Sequence, residues 1–298
     1  MYRTLEEVYS FARTKGKKRL AIAAGHDIET VKAVVRGKKE NIIEPILIGE
    51  QPKIEGHLTD LGEAISSYEI HPAIDNVDAT KQAIQLVNNH QADFLMKGYL
   101  QTSEMLREVV KKDSGMVANN TISYAKLMEL EGFDKLIIIT DTAIVIEPTL
   151  AQKKDILENA VGAFHTLDYD QPKVAVLCAV EKENPKMIDT VHAAELKRMN
   201  EAGVIKNCLV EGPISFDIAM DAGRAKRKEY QGAIQGDADI LLMPDVTSGN
   251  ILAKALSILG EKESAGFVLG AKVPIILSSR GAMADAKYHS ILACLAIL

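Results

Sequence analysis

The segment VPIILSSRGAMAD, residues 273–285, runs as an apolar strand and then opens directly onto Ser278-Ser279-Arg280-Gly281. A serine hydroxyl, N–H groups laid open by a glycine, and a helix starting just beyond make a pocket for an anion. The Arg280 guanidinium adds a planar fork of donors that matches phosphate oxygens. Phosphate or phosphoryl binding is one reading. A serine cap beside an arginine bonded to a carboxylate is the other, and this stretch alone leaves both open. Lys97-Gly98, closing ADFLMKG, supplies a second candidate cation or else a snorkelling surface lysine. Arg107 sits one helix later, facing the same crevice or water. TSGNILAKAL opens a helix with hydroxyl, glycine and amide donors, a plain N-terminal cap on the simpler view. Asp141 and Asp285 could serve as acid–base groups or as caps and ion-pair partners.

Short apolar runs alternate with helical patterns along the whole chain and so place these residues. RLAIAAG, EPILIGE, DFLMKG, KLIIIT, KVAVLCAV, NCLVEG, ADILLMPD, GFVLG and VPIIL read as strands, with SSYEIH less clear. Between them VDATKQAIQLVNNH, SEMLREVVKK (capped by Thr102 or Ser103), LAQKKDILENAVGAFHTL and PKMIDTVHAAELKRMNEAG read as helices, as does SFDIAMDAGRAK. Asp27 is placed to cap the helix IETVKAVVRG. This alternation with continuous apolar strands predicts an α/β fold with mostly parallel sheets covered on both faces. Roughly ten strands exceed what one sheet of a compact domain comfortably holds, so two domains are expected, with a hinge near Asp141–Pro148. In such sheets ligands bind at the carboxyl ends of strands. Those ends carry Lys97-Gly98, Asp141, Glu181 with Asn184 and Lys186, Glu211-Gly212-Pro213, Pro244-Asp245 with Ser248-Gly249-Asn250, and Ser278–Gly281.

Composition removes several classes. A net charge of −6 over 298 residues argues against a nucleic-acid partner. Cys178, Cys208 and Cys294 lie among apolar neighbours without CxxC spacing, which predicts buried free thiols in a reducing cytoplasm. No apolar run is long enough to span a bilayer, and the N-terminus does not read as a signal peptide. The histidines show no metal spacing. A Walker-type loop, a GxGxxG turn and a GxSxG elbow are absent.

The ordered set ADFLMKG, Thr102 with Leu106-Arg107, ITD, VAVLCAVEKENPKM, EGPISFDIA, GDADILLMPDVTSGN and GAKVPIILSSR resembles the phosphate acetyl/butyryltransferase family over nearly the whole chain. LMKG and ENPKM are more similar to the butyryl branch. The resemblance implies butyryl-CoA, or a branched short-chain relative, plus phosphate in exchange for acyl phosphate plus CoA. Phosphate acetyltransferase and a non-catalytic CoA or acyl-phosphate binding homologue are the alternatives. It implies an isocitrate/isopropylmalate dehydrogenase-like fold of two α/β domains with the site in the interdomain cleft. Residues 1–147 with 279–298 would form the first domain, to which the C-terminal helix returns, and 148–278 the second.

By the same resemblance Ser279 and Arg280 hold the phosphoryl group and stabilise charge in the transition state, and Asp285 stands for the acid that deprotonates the CoA thiol. Lys97, Gly98, Thr102, Arg107, Asp141, Glu211, Asp245, Gly249 and Asn250 would bind substrate. No metal, no cofactor beyond the substrates themselves, and no covalent acyl-enzyme are expected, and a cytoplasmic homodimer or higher homo-oligomer is. The chain departs from the butyryl pattern at Gly115-Met116-Val117 and Ser123-Tyr124, where one arginine and one histidine are missing, and its acid lies six residues beyond the serine where the acetyl branch has it seven beyond.

Overall fold

The computed structural model of the chain describes residues 1–117, 121–278 and 280–298. Its strands are β1 (Lys18–Ala23), β2 (Ile43–Gly49), β3 (Glu69–Pro72), β4 (Phe94–Lys97), β5 (Ser123–Leu130), β6 (Leu136–Thr140), β7 (Lys173–Leu177), β8 (Leu209–Ile214), β9 (Ile240–Leu242), β10 (Glu261–Leu269) and β11 (Ile275–Ile276). Its helices are α1 (Leu5–Thr14), α2 (Ile28–Lys39), α3 (Gln51–Asp60), α4 (Asn76–Asn88), α5 (Thr102–Val109), α6 (Leu150–Thr166), α7 (Ile188–Glu201), α8 (Phe216–Met220), α9 (Ala222–Arg227), α10 (Val246–Leu259) and α11 (Ala284–Ile297). The chain divides into two compact units, a first of Val8–Asn120 with Ala265–Leu298 and a second of Met1–Glu7 with Thr121–Ser264. The sequence reading placed the divisions at 147/148 and 278/279. The difference arises because β5 and β6 pair with each other and β6 pairs with β9, which draws residues 121–147 into the second unit.

In the first unit the strand order is β3-β2-β1-β4-β11-β10. Parallel pairing joins β2 to β3, β1 to β2, β1 to β4 and β4 to β11, while β10 and β11 run antiparallel. The order reverses between β1 and β4, where successive crossovers leave in opposite directions and a crevice opens outside the strand ends. The C-terminal helix α11 packs on α2. The Arg36 guanidinium lies 3.8 Å from the Tyr288 ring centroid, the Tyr288 hydroxyl bonds Glu40, and Ala284 N donates to Glu29 Oε2 at 2.8 Å.

In the second unit the order is β5-β6-β9-β7-β8, parallel except for β5 against β6. Its core holds Met128, Ile137, Ile139, Ala175, Leu241 and Ile214 with Ile218 of α8. Each such aliphatic side chain removed from water contributes about 1.5–3 kcal/mol.

Three local features differ from the sequence reading. β5 was not foreseen: SYAKLMEL consists largely of good helix formers, and only its antiparallel partner, with Lys126 opposite Ile139, makes it a strand. SFDIAMDAGRAK is two short helices because Asp221 turns out of the first and caps the second, accepting from Arg224 N at 2.9 Å. α5 begins at Thr102, so neither Thr102 nor Ser103 is its cap. That position is Gln101, whose N–H donates to Glu104 Oε2 at 2.8 Å. Asp27 does cap α2, accepting from Thr30 N at 3.0 Å, and all three cysteines are buried free thiols.

Candidate functional site

In the first unit β1 and β4 lie in register with Ala23 opposite Lys97, and their ladder continues past the strands. Gly98 N donates to Ala23 O and Tyr99 N to Ala24 O, each at 2.8 Å. A Cβ on residue 98 would stand 2.3 Å from Ala24 O, so only glycine allows the backbones this close. β11 ends alongside, with Ser278 Oγ 3.4 Å from Lys97 O. The side chains of Lys97, His26 and Asp27 therefore gather at one sheet edge, at the order reversal.

Lys97 is 1% exposed, and its ammonium donates to Leu100 O at 3.0 Å and Gly98 O at 3.3 Å. Burial, then the charges of Lys287 and Arg280, push it down to about 8, while Asp27 and Glu104 pull the other way. Lys287 on α11 is wholly buried and its Nζ has no hydrogen-bond partner. The nearest carboxylate oxygen, Asp27 Oδ1, is 3.9 Å away. Asp27 Oδ2, Thr30 Oγ1 and His26 Nδ1 are likewise buried without partners. Burial lowers the proton affinity of His26, outweighing Glu50 3.5 Å from its Nε2. Unpaired buried polar atoms are rare in folded proteins, and four in one neighbourhood point to a ligand or to bound water.

Arg280 is exposed, has no ion-pair partner among the described residues, and is near enough for its charge to act on Lys97. Ser279 lies outside the described residues. Arg107 is exposed in the last turn of α5, and Thr102 opens that helix, half-buried. Asp285 is placed differently from the base expected of it. Two residues before Lys287 on one helix, it points to nearly the opposite side, is 82% exposed and pairs with Arg36 at 3.1 Å. Lys287, His26 and Thr30 were not singled out in the sequence. A signal for Lys287 existed: with Ser290, Ile291 and Cys294 it forms an i, i+3, i+4, i+7 stripe, and all four are buried.

The strand ends of the second unit are otherwise arranged. Asp141, 3% exposed, accepts from Ala143 N at 2.9 Å, Ile144 N at 3.2 Å and Tyr124 N at 3.3 Å through Oδ1, and from Val145 N at 2.8 Å through Oδ2. Burial raises its proton affinity and these four donors oppose the rise. A Cβ on Gly249 would meet Asp141 O at 2.4 Å, and Asn250 Nδ2 donates to Thr142 O at 3.1 Å, so the TSGN turn is knitted onto the Asp141 loop. Asp245 caps α10 through Ser248 N at 2.9 Å. Glu211 takes Lys197 Nζ and Ala233 N, each at 2.7 Å, and borders a cavity of about 950 Å³ with Glu181, Asn184 and Lys228. A second cavity of about 460 Å³ lies against Asp245, Asp189, His192 and Lys153, a lysine 3% exposed whose proton affinity burial lowers. Among the described residues no cluster of histidine, cysteine and carboxylates could hold a metal, and no helix is long and apolar enough to cross a membrane.

The profile of the family described as "Phosphate acetyl/butaryl transferase" matches residues 69–295. The chain is 35% identical to phosphate butyryltransferase of Clostridium acetobutylicum over 98% of its length and 97% of that protein's. It is 37% identical to phosphate acetyltransferase of Thermotoga maritima, over 96% and 97% of the two. Among solved structures, a branched-chain phosphotransacylase from Enterococcus faecalis superposes with a TM-score of 0.80 at 30% identity, covering 94% of this chain and 99% of that one. A 4-hydroxythreonine-4-phosphate dehydrogenase from Burkholderia phymatum, TM-score 0.51 at 14% identity over 93% and 98%, shares the fold alone. With the family matched over more than half its length and relatives aligned nearly end to end, the chain belongs to the phosphate acetyl/butyryl transferases, and so to the phosphate acyltransferases.

Proposed function

We propose that the chain moves a short acyl group, butyryl or a branched relative, between CoA and inorganic phosphate without a covalent acyl-enzyme. The observation that carries this reading is the cation cluster at the β1/β4 reversal: Lys97, buried at the strand end, and Arg280, without an ion-pair partner among the described residues and near enough for its charge to act on Lys97. A phosphate dianion is the ligand such a cluster favours. One phosphate oxygen attacks the thioester carbonyl carbon, the C–O bond forms, and the carbonyl electrons move onto oxygen. The tetrahedral oxyanion then collapses, the C–S bond breaks, and the sulfur leaves with the proton that hydrogen phosphate gave up. The charge on the attacking dianion and on the oxyanion is met by Arg280 and Lys97. Ser279 is proposed to add its hydroxyl, and Arg107, Thr102 and Gly98 to border the same anion. Asp141, Glu211, Asp245, Gly249 and Asn250 are proposed to shape the other strand ends, since their polar atoms are engaged within the protein.

The butyryl preference rests on the LMKG and ENPKM segments, because relatives named for acetyl and for butyryl transfer are about equally similar. One methylene of chain length is worth only ~1–3 kcal/mol in a pocket, so selectivity is a matter of degree. The test is a panel of acyl-CoA thioesters from acetyl to hexanoyl, with free thiol measured with and without phosphate. Phosphate-dependent release that is fastest with butyryl- or isobutyryl-CoA supports the reading. Fastest release with acetyl-CoA would make it an acetyltransferase, and no phosphate-dependent release from any thioester would sink it.

A further inference from the structure

Lys287 has no role in the scheme above, yet its environment is unusual. It lies on the buried face of α11 with Ser290, Ile291 and Cys294, itself fully buried, with an ammonium that makes no hydrogen bond. Pairing with Asp27 does not account for it. The 3.9 Å to Asp27 Oδ1 exceeds the 2.7–2.9 Å of a charge-assisted hydrogen bond, Oδ1 is already taken by Thr30 N, and Oδ2 is left without any donor. A lysine recruited to neutralise that carboxylate would close on the free oxygen.

The surrounding charges sharpen the point. Glu29 is committed to Lys32 at 2.9 Å and to Ala284 N, and Glu104 to Gln101 N. Against the three cations Lys97, Lys287 and Arg280 stands Asp27, 3.9 Å from Lys287, with one oxygen held by Thr30 N and the other without a donor. The excess of positive charge is what a phosphate dianion would neutralise. Among the charged groups, Lys287 acts most strongly on Lys97.

We propose that Lys287 is a positioning residue for the phosphate end of the reaction, a buried cation that strengthens the hold on the dianion and not merely the counter-charge of Asp27. It acts through the field it sets up at Lys97 and not by touching the anion. The inference rests on the reading that phosphate is a substrate.

The experiment compares wild type with Lys287→Met, Asp27→Asn and the double variant; asparagine keeps the α2 cap. Two quantities are read: the KM for phosphate beside that for butyryl-CoA, and the rise in Tm caused by inorganic phosphate against sodium chloride of equal ionic strength. Lys287→Met is expected to raise the phosphate KM roughly tenfold, as the through-space attraction of one nearby cation is lost, with the thioester KM within about twofold. The phosphate-induced rise in Tm should shrink in parallel. The double variant, with no buried charge left at either position, should fold and keep the phosphate defect. Recovery of the wild-type phosphate KM in the double variant would show that Lys287 only balances Asp27 and would overturn the inference. So would equal shifts of both KM values. If Lys287→Met fails to fold, the double variant alone decides. A wild type that releases no thiol but is stabilised by phosphate fails the functional reading, while the Tm comparison still judges Lys287. A wild type indifferent to phosphate in both assays overturns both.

Discussion

The two units end their parallel strands in opposite ways. Past β6, β8 and β9 the strand-end groups are consumed, although His192 Nδ1 in the cavity beside Asp245 has no partner: Asp141 holds four N–H donors, Glu211 an ammonium and a backbone N–H, Asp245 a helix end, and Asn250 a carbonyl. Past β1 and β4 they are left over: Lys287 Nζ, Asp27 Oδ2, His26 Nδ1 and Thr30 Oγ1 have no partner. Both sets are charged or polar, both follow apolar strands, and sequence alone ranks them together. The difference teaches that satisfied polar groups at strand ends build the loops, whereas unsatisfied ones wait for something from outside.

The largest effect that could break this contrast belongs to the unsatisfied side. Arg280→Ala is expected to lower turnover at least ~100-fold, the usual scale for a lost stabiliser of transition-state charge, with Tm nearly unchanged because the side chain is exposed. Steady-state rates near wild type would remove Arg280 from the chemistry. On the satisfied side, Asp141→Ala leaves four backbone donors without their acceptor and should cost at least ~4 kcal/mol in chemical denaturation, at about 1–3 kcal/mol for each buried group left unpaired. The fraction still folded should turn over within a few-fold of wild type. A folded variant that has lost its rate would move Asp141 into the site.

The two glycines offer a matched pair. A Cβ at Gly98 meets Ala24 O at 2.3 Å and one at Gly249 meets Asp141 O at 2.4 Å, so alanine at either position should cost ~1–3 kcal/mol of stability. Only Gly98→Ala is expected to raise the phosphate KM, because only it displaces Lys97. Equal kinetic damage from both would erase the distinction.

Lys97 adds a pH signature. Its ammonium loses its proton at about 8 in the folded protein, against 10.5 for an ordinary lysine. Phosphate binding should weaken as pH rises through about 8, and Lys97→Met should flatten that limb of the profile. The sign for stability is opposite: the folded state binds fewer protons there between about 8 and 10.5, so this group adds stability as pH rises across that window. The smallest effect is expected of Asp285→Asn. An exposed pair with Arg36 is worth at most ~1 kcal/mol, and turnover should stay within about threefold. A hundredfold loss would restore Asp285 as the base.

How much was legible in the residues follows the same line. Strands such as KLIIIT and DFLMKG declare themselves because a run buried on both faces must be apolar throughout, and helix starts declare themselves through residues such as Asp27. β5 did not, since SYAKLMEL suits a helix until a neighbouring strand offers it hydrogen bonds. The ordered motifs resemble one family closely enough to place the chain among the phosphate acyltransferases, whereas their position at successive strand ends shows only where a site should lie.

Which polar residue is used up by the fold and which is left over depended on tertiary structure alone. Asp285 and Lys287 stand two apart in the sequence, yet one faces water against Arg36 and the other is sealed beneath Asp27. A residue type fixes what a side chain can donate or accept. Whether a partner comes within 3 Å depends on elements far apart along the chain, and for Lys287 the carboxylate of the α2 cap Asp27, about 260 residues earlier, stops at 3.9 Å.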